Sequence, residues 1–330
     1  MLILSAAEVR QALPMGEAIA AMKQAFAAHS SGTVEMPLRS RLNVRRHAAL
    51  GLVMPVYLED ADGEALAVKV VSIFPNNLEK NLPLIHAAVL ALDPDTGCPL
   101  ALLEGSALTA IRTGAASGAA TDVLSRPDCR IAAIFGAGVQ GRTQLEAVCA
   151  VRQIETVWVF DPNPHRVDQF IRDMAGKDPV PKDLRAAASP HQAASNAEII
   201  CTATTSKLPV FADFDLKPGV HINGVGSYAP EMQEIPAETV QRARVVVDSR
   251  EAALNEAGDL IQPLQAGLIS TNHIHAELGE VITGRKEGRT GRDQVTIFKS
   301  VGIAVQDAAA ARLAIAKARE LHLGQVLQWP

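Results

Sequence analysis

The sequence predicts an α/β protein: a Rossmann-type, doubly wound parallel sheet domain beside a second α+β domain. Three observations predict it. A glycine fingerprint, Gly136-Ala-Gly-Val-Gln-Gly141, lies between an apolar run and a helical pattern. Short apolar runs alternate with helical patterns over the middle of the chain, the signature of a covered parallel sheet. The chain before it reads differently, as strands joined by short turns, which implies antiparallel pairing.

The first stretch opens with a helix, with Pro14 near its first turn and Ile19, Met22 and Phe26 at helical spacing. Strand-like runs follow at 38–44, 50–58, 65–74, 85–93 and 100–104, divided by turn residues such as Asp62-Gly63 and Asp93-Pro94-Asp95-Thr96-Gly97. In the middle stretch, runs apolar on both faces occur at 131–135, 156–160, 198–202, 220–223 and 245–248. A last, alanine-rich helix is expected over 303–321, with Gly324 as a stop. If that helix returns to the first domain, residues 1–118 plus 303–330 form one domain with the rest of the chain inserted into it, the part that the family resemblance below makes the substrate-binding and dimerisation domain. Residues 119–302 then form the dinucleotide-binding domain.

Composition narrows the function. The 330 residues carry a formal net charge of -5 with no basic run, so nothing points to nucleic acid. No stretch is long and apolar enough to predict a membrane span, and the N-terminus lacks the basic flank of a secretory signal, so a cytoplasmic protein is expected. The four cysteines are scattered without a CxxC, as free thiols in a reducing compartment would be. His273 and His275 have the spacing of two ligands on one strand face, but no acid or cysteine clusters with them in sequence, and no metal is expected.

Each fingerprint glycine has its own task in a nucleotide site. Gly136 permits a tight turn, Gly138 lets backbone amides approach a diphosphate, and Gly141 lets the helix lie against the strand. The helix N-terminus then offers free N–H groups and a partial positive charge to the phosphates. Asp161, about twenty residues on at the end of the next apolar run, is placed to accept from both adenosine ribose hydroxyls. Its charge would repel a 2′-phosphate, which favours NAD; Arg166 nearby leaves NADP open. Thr202 and Thr204 at the end of one buried run, and Val225 at the end of the next, suit a cofactor edge or an ordinary polar loop.

Four cations are candidates for a substrate site. Lys69 lies inside the apolar run 65–73, where an ammonium is costly unless paired or functional; the alternative is an edge-strand lysine whose head reaches water. Arg112, isolated among small and apolar residues, could clamp a carboxylate with two parallel N–H bonds, or form a structural salt bridge. Arg39 and Arg41 alternate onto one strand face, to hold an anion or to meet solvent.

Together with these residues, the stretch Leu102-Leu-Glu-Gly-Ser-Ala-Leu-Thr-Ala-Ile-Arg-Thr-Gly-Ala-Ala-Ser-Gly-Ala119, its spacing to Phe135-Gly-Ala-Gly-Val-Gln-Gly141, and Ile297-Phe-Lys-Ser-Val-Gly302 with Gln306-Asp307 resemble the ornithine cyclodeaminase/μ-crystallin family over nearly the whole chain. The resemblance implies a homodimer and an NAD(P)-dependent oxidoreductase acting on CH–NH or C=N groups of a small amino or imino acid. By resemblance Lys69 and Arg112 reach the substrate carboxylate and the reacting centre, and Arg41 is a third carboxylate contact, with Arg39 its rival if the register slips. Arg112, Thr113, Val139, Gln140, Asp161, Thr202 and Ser300 look like cofactor contacts. The sequence departs from the cyclodeaminases and alanine dehydrogenases at Tyr228, where they carry an aspartate thought to receive the substrate amine. A phenol with an ordinary pKa near ~10 is a poor base at neutral pH. The expectation is therefore a reductase of a cyclic ketimine carboxylate such as Δ1-pyrroline-2-carboxylate. The alternatives are an ornithine cyclodeaminase or alanine-type dehydrogenase, and a non-catalytic nucleotide or small-ligand binder.

Overall fold

A computed structural model describes residues 1–80 and 82–329, without the side chain of Leu78. The chain forms two units: Met1–Arg112 together with the chain from Ile303 onward, and Thr113–Gly302.

In the first unit the strands are β1 (Leu2–Leu4), β2 (Val34–Glu35), β3 (Ser40–Val44), β4 (Ala49–Asp60), β5 (Gly63–Ile73), β6 (Ile85–Leu92) and β7 (Pro99–Glu104). β3 to β7 pair antiparallel in the order 3-4-5-6-7, as the short turns require. β1 departs from that pattern: it pairs parallel with β7, and Gln325–Val326 adds antiparallel to its other side. Three residues of Leu-Ile-Leu before a helix carry too little periodicity to be read as a strand. A helix over Ala6–Ala12 follows, started by a capping box in which Ser5 and Glu8 satisfy each other's backbone N–H groups.

The inward face of the sheet carries Leu52, Met54, Val56 and Leu58 on β4 and Ala67, Lys69 and Val71 on β5, all buried. The C-terminal helix Ala304–Glu320 and the helix Met15–Ser31 pack with each other, and both lie against β4. Ala308, Ala309, Ala310, Ala311, Ala314 and Ala318 are all buried, because side chains this small let a helix backbone approach closely. On the other face Val53 and Val70, directly paired, are 38% and 51% exposed.

The second unit is a parallel sheet of β8 (Ile131–Phe135), β9 (Thr156–Phe160), β10 (Asp183–Ala186), β11 (Ile199–Thr202), β12 (His221–Gly224), β13 (Arg244–Val247), β14 (Ile274–Glu277) and β15 (Thr296–Lys299). Their order is 10-9-8-11-12-15-13-14. The direction of winding reverses between β8 and β11, which is where doubly wound sheets bind ligands at their carboxyl ends. β15, inserted between β12 and β13, was expected only as part of a motif. Its polar Thr296 and Lys299 hide it as a strand in sequence, yet both are fully buried.

The helix Gly105–Leu124 belongs to both units. Arg112 bonds to Gln306 and Asp307 of the first, while the Thr113 carbonyl accepts from Gln144 of the second. Among the described residues, no helix is long and apolar enough to cross a membrane.

Candidate active site

β5 is a central strand, with β4 and β6 on either side, so Lys69 has no edge from which to reach water. It lies opposite Met54 on β4 and Val89 on β6, and it is 2% exposed. Its Nζ is 2.7 Å from Oδ2 of Asp307 on the C-terminal helix. The other oxygen of the same carboxylate, Oδ1, accepts from Arg112 Nε at 3.1 Å. Arg112 Nη1 donates to Gln306 Oε1 at 2.6 Å, and that oxygen also accepts from the Ile303 N–H at 2.9 Å. A guanidinium has five donors; these bonds use the Nε donor and one of the two on Nη1, so the other Nη1 donor and both on Nη2 remain.

The group thus has two cations against one acid, all buried. Burial pushes the Lys69 ammonium down to about 7, the Arg112 charge pushes it the same way, Asp307 opposes both, and Arg39 adds a smaller depression. The register explains the last effect. Arg41 lies opposite Leu52, which lies opposite Val71; Met54 and Lys69 form the next inward-facing row. Carried one residue beyond Ser40, the pairing brings Arg39 level with Met54 and Lys69. Arg41 is on the same face but exposed. Of the two arginines, Arg39 is therefore the one that acts electrostatically on Lys69.

In the second unit the fingerprint closes the carboxyl end of β8. Gly136 has φ +99, open to glycine and strained for other residues, and a Cβ there would lie 2.5 Å from the Ala203 carbonyl oxygen. A Cβ on Gly141 would lie 2.1 Å from the Gly136 carbonyl oxygen. Gly138 differs: it is exposed, is the N-cap of the helix Val139–Val151, and would put a Cβ into open space with nothing within 4 Å. Packing gives no reason for glycine there, whereas a ligand resting on the amides of the turn does. Gln140 Oε1 is buried without a hydrogen-bond partner, and Val139 is exposed beside it. Asp161 Oδ2 accepts from the Ala137 N–H at 3.0 Å and Oδ1 from the Asn163 N–H at 2.9 Å, which fixes the carboxylate beside the turn. These residues fit a dinucleotide, with its diphosphate over 136–141 and a ribose at Asp161.

The neighbouring strand ends are built around an acid that sequence reasoning missed. Glu234 is fully buried and accepts from Thr202 Oγ1, the Thr204 N–H and Oγ1, and the N–H groups of Gly226 and Ser227. Thr202 and Thr204 spend their hydroxyl protons on this carboxylate, so their first role is to shape the loops. Val225 belongs to the same arrangement, its N–H donating to the Thr202 carbonyl. Lys299 is likewise fully buried, 3.1 Å from Asp259 Oδ2, and donates to the Gly224 carbonyl. Ser300 donates its hydroxyl to Asp248 Oδ2, which also takes the N–H groups of Val301 and Gly302. The signal for these acids was faint: single carboxylates beside buried strands, resolved only by knowing which loops meet.

Tyr228 follows β12 and is half-buried; burial first, and then Glu231, raise its phenol above the ordinary value, so it is neutral at physiological pH. His273 ends a 3-10 turn and does not share a strand with His275, and their Nε2 atoms meet the carbonyls of Val240 and Glu287 respectively. Among the described residues, no group of three or more His, Cys, Asp or Glu side chains is arranged to hold a metal ion.

Known proteins resemble this chain in sequence and in structure. The sequence profile described as "Ornithine cyclodeaminase/mu-crystallin family" matches residues 1–321. A Delta(1)-pyrroline-2-carboxylate reductase of Bacillus cereus is 41% identical over 333 residues, covering 100% of each chain. The structure of Thermococcus litoralis Delta(1)-pyrroline-2-carboxylate reductase in complex with NADH and L-proline superposes with a TM-score of 0.94 at 45% identity, covering 99% of this chain and 100% of that one. An archaeal alanine dehydrogenase, described as a dimer with bound NAD, superposes with a TM-score of 0.91 at 31% identity, over 100% of this chain and 99% of that one.

Proposed function

The chain belongs to the ornithine cyclodeaminase/mu-crystallin family, and from that premise we propose that it is an NAD(P)H-dependent reductase of a small cyclic imino acid of the Δ1-pyrroline-2-carboxylate class. The observation that carries this reading is the buried group of Lys69, Arg112 and Asp307. With Lys69 protonated it has one positive charge to spare, and the remaining Nη donors of Arg112 can bind carboxylate oxygens. Holding the acid there fixes the approach of the adjacent C=N carbon.

Lys69, with its ammonium brought down to about 7, is a proton donor suited to neutral pH. A protonated imine is a better electron-pair acceptor than a neutral one, so donation to the ring nitrogen activates the carbon. A nicotinamide dinucleotide held by the 136–141 turn and Asp161 would supply the hydride for that carbon, the two electrons coming from its reduced ring. The C=N bond becomes CH–NH, and neutral Lys69 regains its proton from solvent. The open amide turn at 136–141 supports NAD(P) binding, and the Asp161 carboxylate supports NAD over NADP.

The neutral Tyr228 phenol weighs against ornithine cyclisation and alanine oxidation, which need a base for the amine chemistry. The exposed apolar pair Val53 and Val70, with the dimer described for the archaeal relative, supports a homodimer, to be measured by light scattering. The test of function is oxidation of NADH and NADPH with pyrroline- and piperideine-2-carboxylate, beside ornithine and pyruvate plus ammonium. Turnover of a cyclic ketimine with NADH ahead of NADPH is expected. Ammonia release from ornithine would replace the reading, and NADH binding with no turnover on any substrate would make the chain a binder.

A further inference from the structure

Resting on the reductase reading, we propose that Asp307 is a positioning residue that sets Lys69 against Arg112 and makes arrival of the substrate carboxylate coincide with uptake of the proton that Lys69 then delivers. One carboxylate bridges both cations, Oδ2 to Lys69 Nζ at 2.7 Å and Oδ1 to Arg112 Nε at 3.1 Å. A carboxylate is short and planar, so it fixes the separation of the two cations. Gln306, itself tied to the Ile303 N–H, holds Arg112 from the next position of the same helix.

The charge count supplies the coupling. Lys69, Arg112 and Asp307 are 2%, 5% and 1% exposed. Arg112 and Asp307 cancel, so a protonated Lys69 leaves one positive charge without an answering anion in a place that water barely reaches. Such a charge is unfavourable. The groups that face Lys69 are Asp307 from the C-terminal helix, Arg112 from the helix Gly105–Leu124 and Arg39 from the chain before β3. Its strand partners Met54 and Val89 carry no charge. A bound carboxylate adds the missing anion, and the ammonium becomes the favoured form. The acid is thus armed by the part of the substrate that identifies it, and a cyclic imine without a carboxylate would leave it unarmed.

The decisive measurement uses the unaltered protein. Pyrrole-2-carboxylate, a flat analogue that cannot accept a hydride, is titrated calorimetrically near pH 8 in buffers of different ionisation heat. Uptake of about one proton per site is expected, shrinking toward pH 6 as Lys69 is already charged. Binding with no uptake near pH 8 overturns the inference and leaves the reductase reading standing. Failure of both pyrrole-2-carboxylate and L-proline to bind at any pH sinks the substrate reading and the inference with it.

Asp307→Asn keeps the shape and removes the charge. Lys69 then loses the anion that favours its ammonium, so the alkaline fall of kcat/KM moves to lower pH. The variant should lose about fivefold more kcat/KM at pH 8 than at pH 6, the effect of lowering the Lys69 pKa by about one unit from about 7. An equal loss at both pH values means that Asp307 only holds the fold, and overturns the positioning role. If D307N does not fold, seen as loss of NADH binding, the proton count on the unaltered protein decides alone.

Discussion

Gly138 and Gly141 belong to one fingerprint but answer to different constraints, and alanine at each separates them. At Gly141 the new methyl carbon would lie 2.1 Å from the Gly136 carbonyl oxygen and 3.1 Å from Ile134 Cγ2. Ordinary contact between carbon atoms begins near ~3.5 Å, so the helix and the turn must separate. Overpacking of this kind costs about 1–3 kcal/mol. At roughly 2–4 °C per kcal/mol for a unit of this size, the cofactor-free protein should melt roughly 2–12 °C lower. At Gly138 the methyl meets nothing within 4 Å, and φ is -85, which alanine adopts freely. Loss of a favoured N-cap costs about 0.5–1 kcal/mol, and the stiffer unfolded chain returns about 0.4–1 kcal/mol. Gly138→Ala should therefore melt close to the unaltered protein, yet bind NADH at least about tenfold more weakly, a loss of about 1.4 kcal/mol or more, because the methyl takes the space of the diphosphate. Thermal melting without ligand and titration of NADH fluorescence read the two quantities separately. If Gly138→Ala binds NADH within about threefold of the unaltered protein, the diphosphate does not rest on this turn and the reasoning fails.

Three further changes probe other parts of the molecule. Lys69→Ala should abolish turnover and leave NADH affinity near normal; equal loss of both would give Lys69 a role in folding instead. Asp161→Ser removes the acceptor beside the fingerprint, and the ratio of NADPH to NADH affinity should rise by about tenfold or more; an unchanged ratio would show that the carboxylate does not select the coenzyme. His221 is fully buried between Thr296 and Asn223, and burial first, then Arg289, lower it to about 3. Its folded pKa lies below its unfolded one, so the unfolded chain binds the extra proton and stability falls as pH drops below the unfolded value. The loss between pH 7 and pH 5 is about 2 kcal/mol from this group. Urea unfolding of His221→Gln at both pH values should show a correspondingly flatter pH dependence, and parallel dependences would exclude the assignment.

What could be read from the sequence was set by how local its physical cause is. The fingerprint was legible because a tight turn and a helix lying on a strand both demand glycine within six residues. The antiparallel hairpins were legible because Asp62-Gly63 and 93–97 state their turns outright. Lys69 was visible as a cation among apolar neighbours. Whether its head met water depended on β4 and β6 lying on either side, which no local pattern encodes. Asp307 lies far along the chain, and only the packing of the C-terminal helix brings its carboxylate to Lys69. Arg39 and Arg41 share a face by alternation, but choosing between them needed the register of β3 on β4. Lys299 and Thr296 disguised a central strand as a polar segment, because the partner of that lysine, Asp259, comes from a helix.

The Glu234 hub sets a rule for anyone redesigning this protein. Two strand-end loops hang from one side chain, so neither can be exchanged, lengthened or re-aimed without carrying the other along. Altered selectivity has to be sought at positions outside that knot; changes inside it at 202, 204, 226 or 227 will register as lost integrity before they register as new preference.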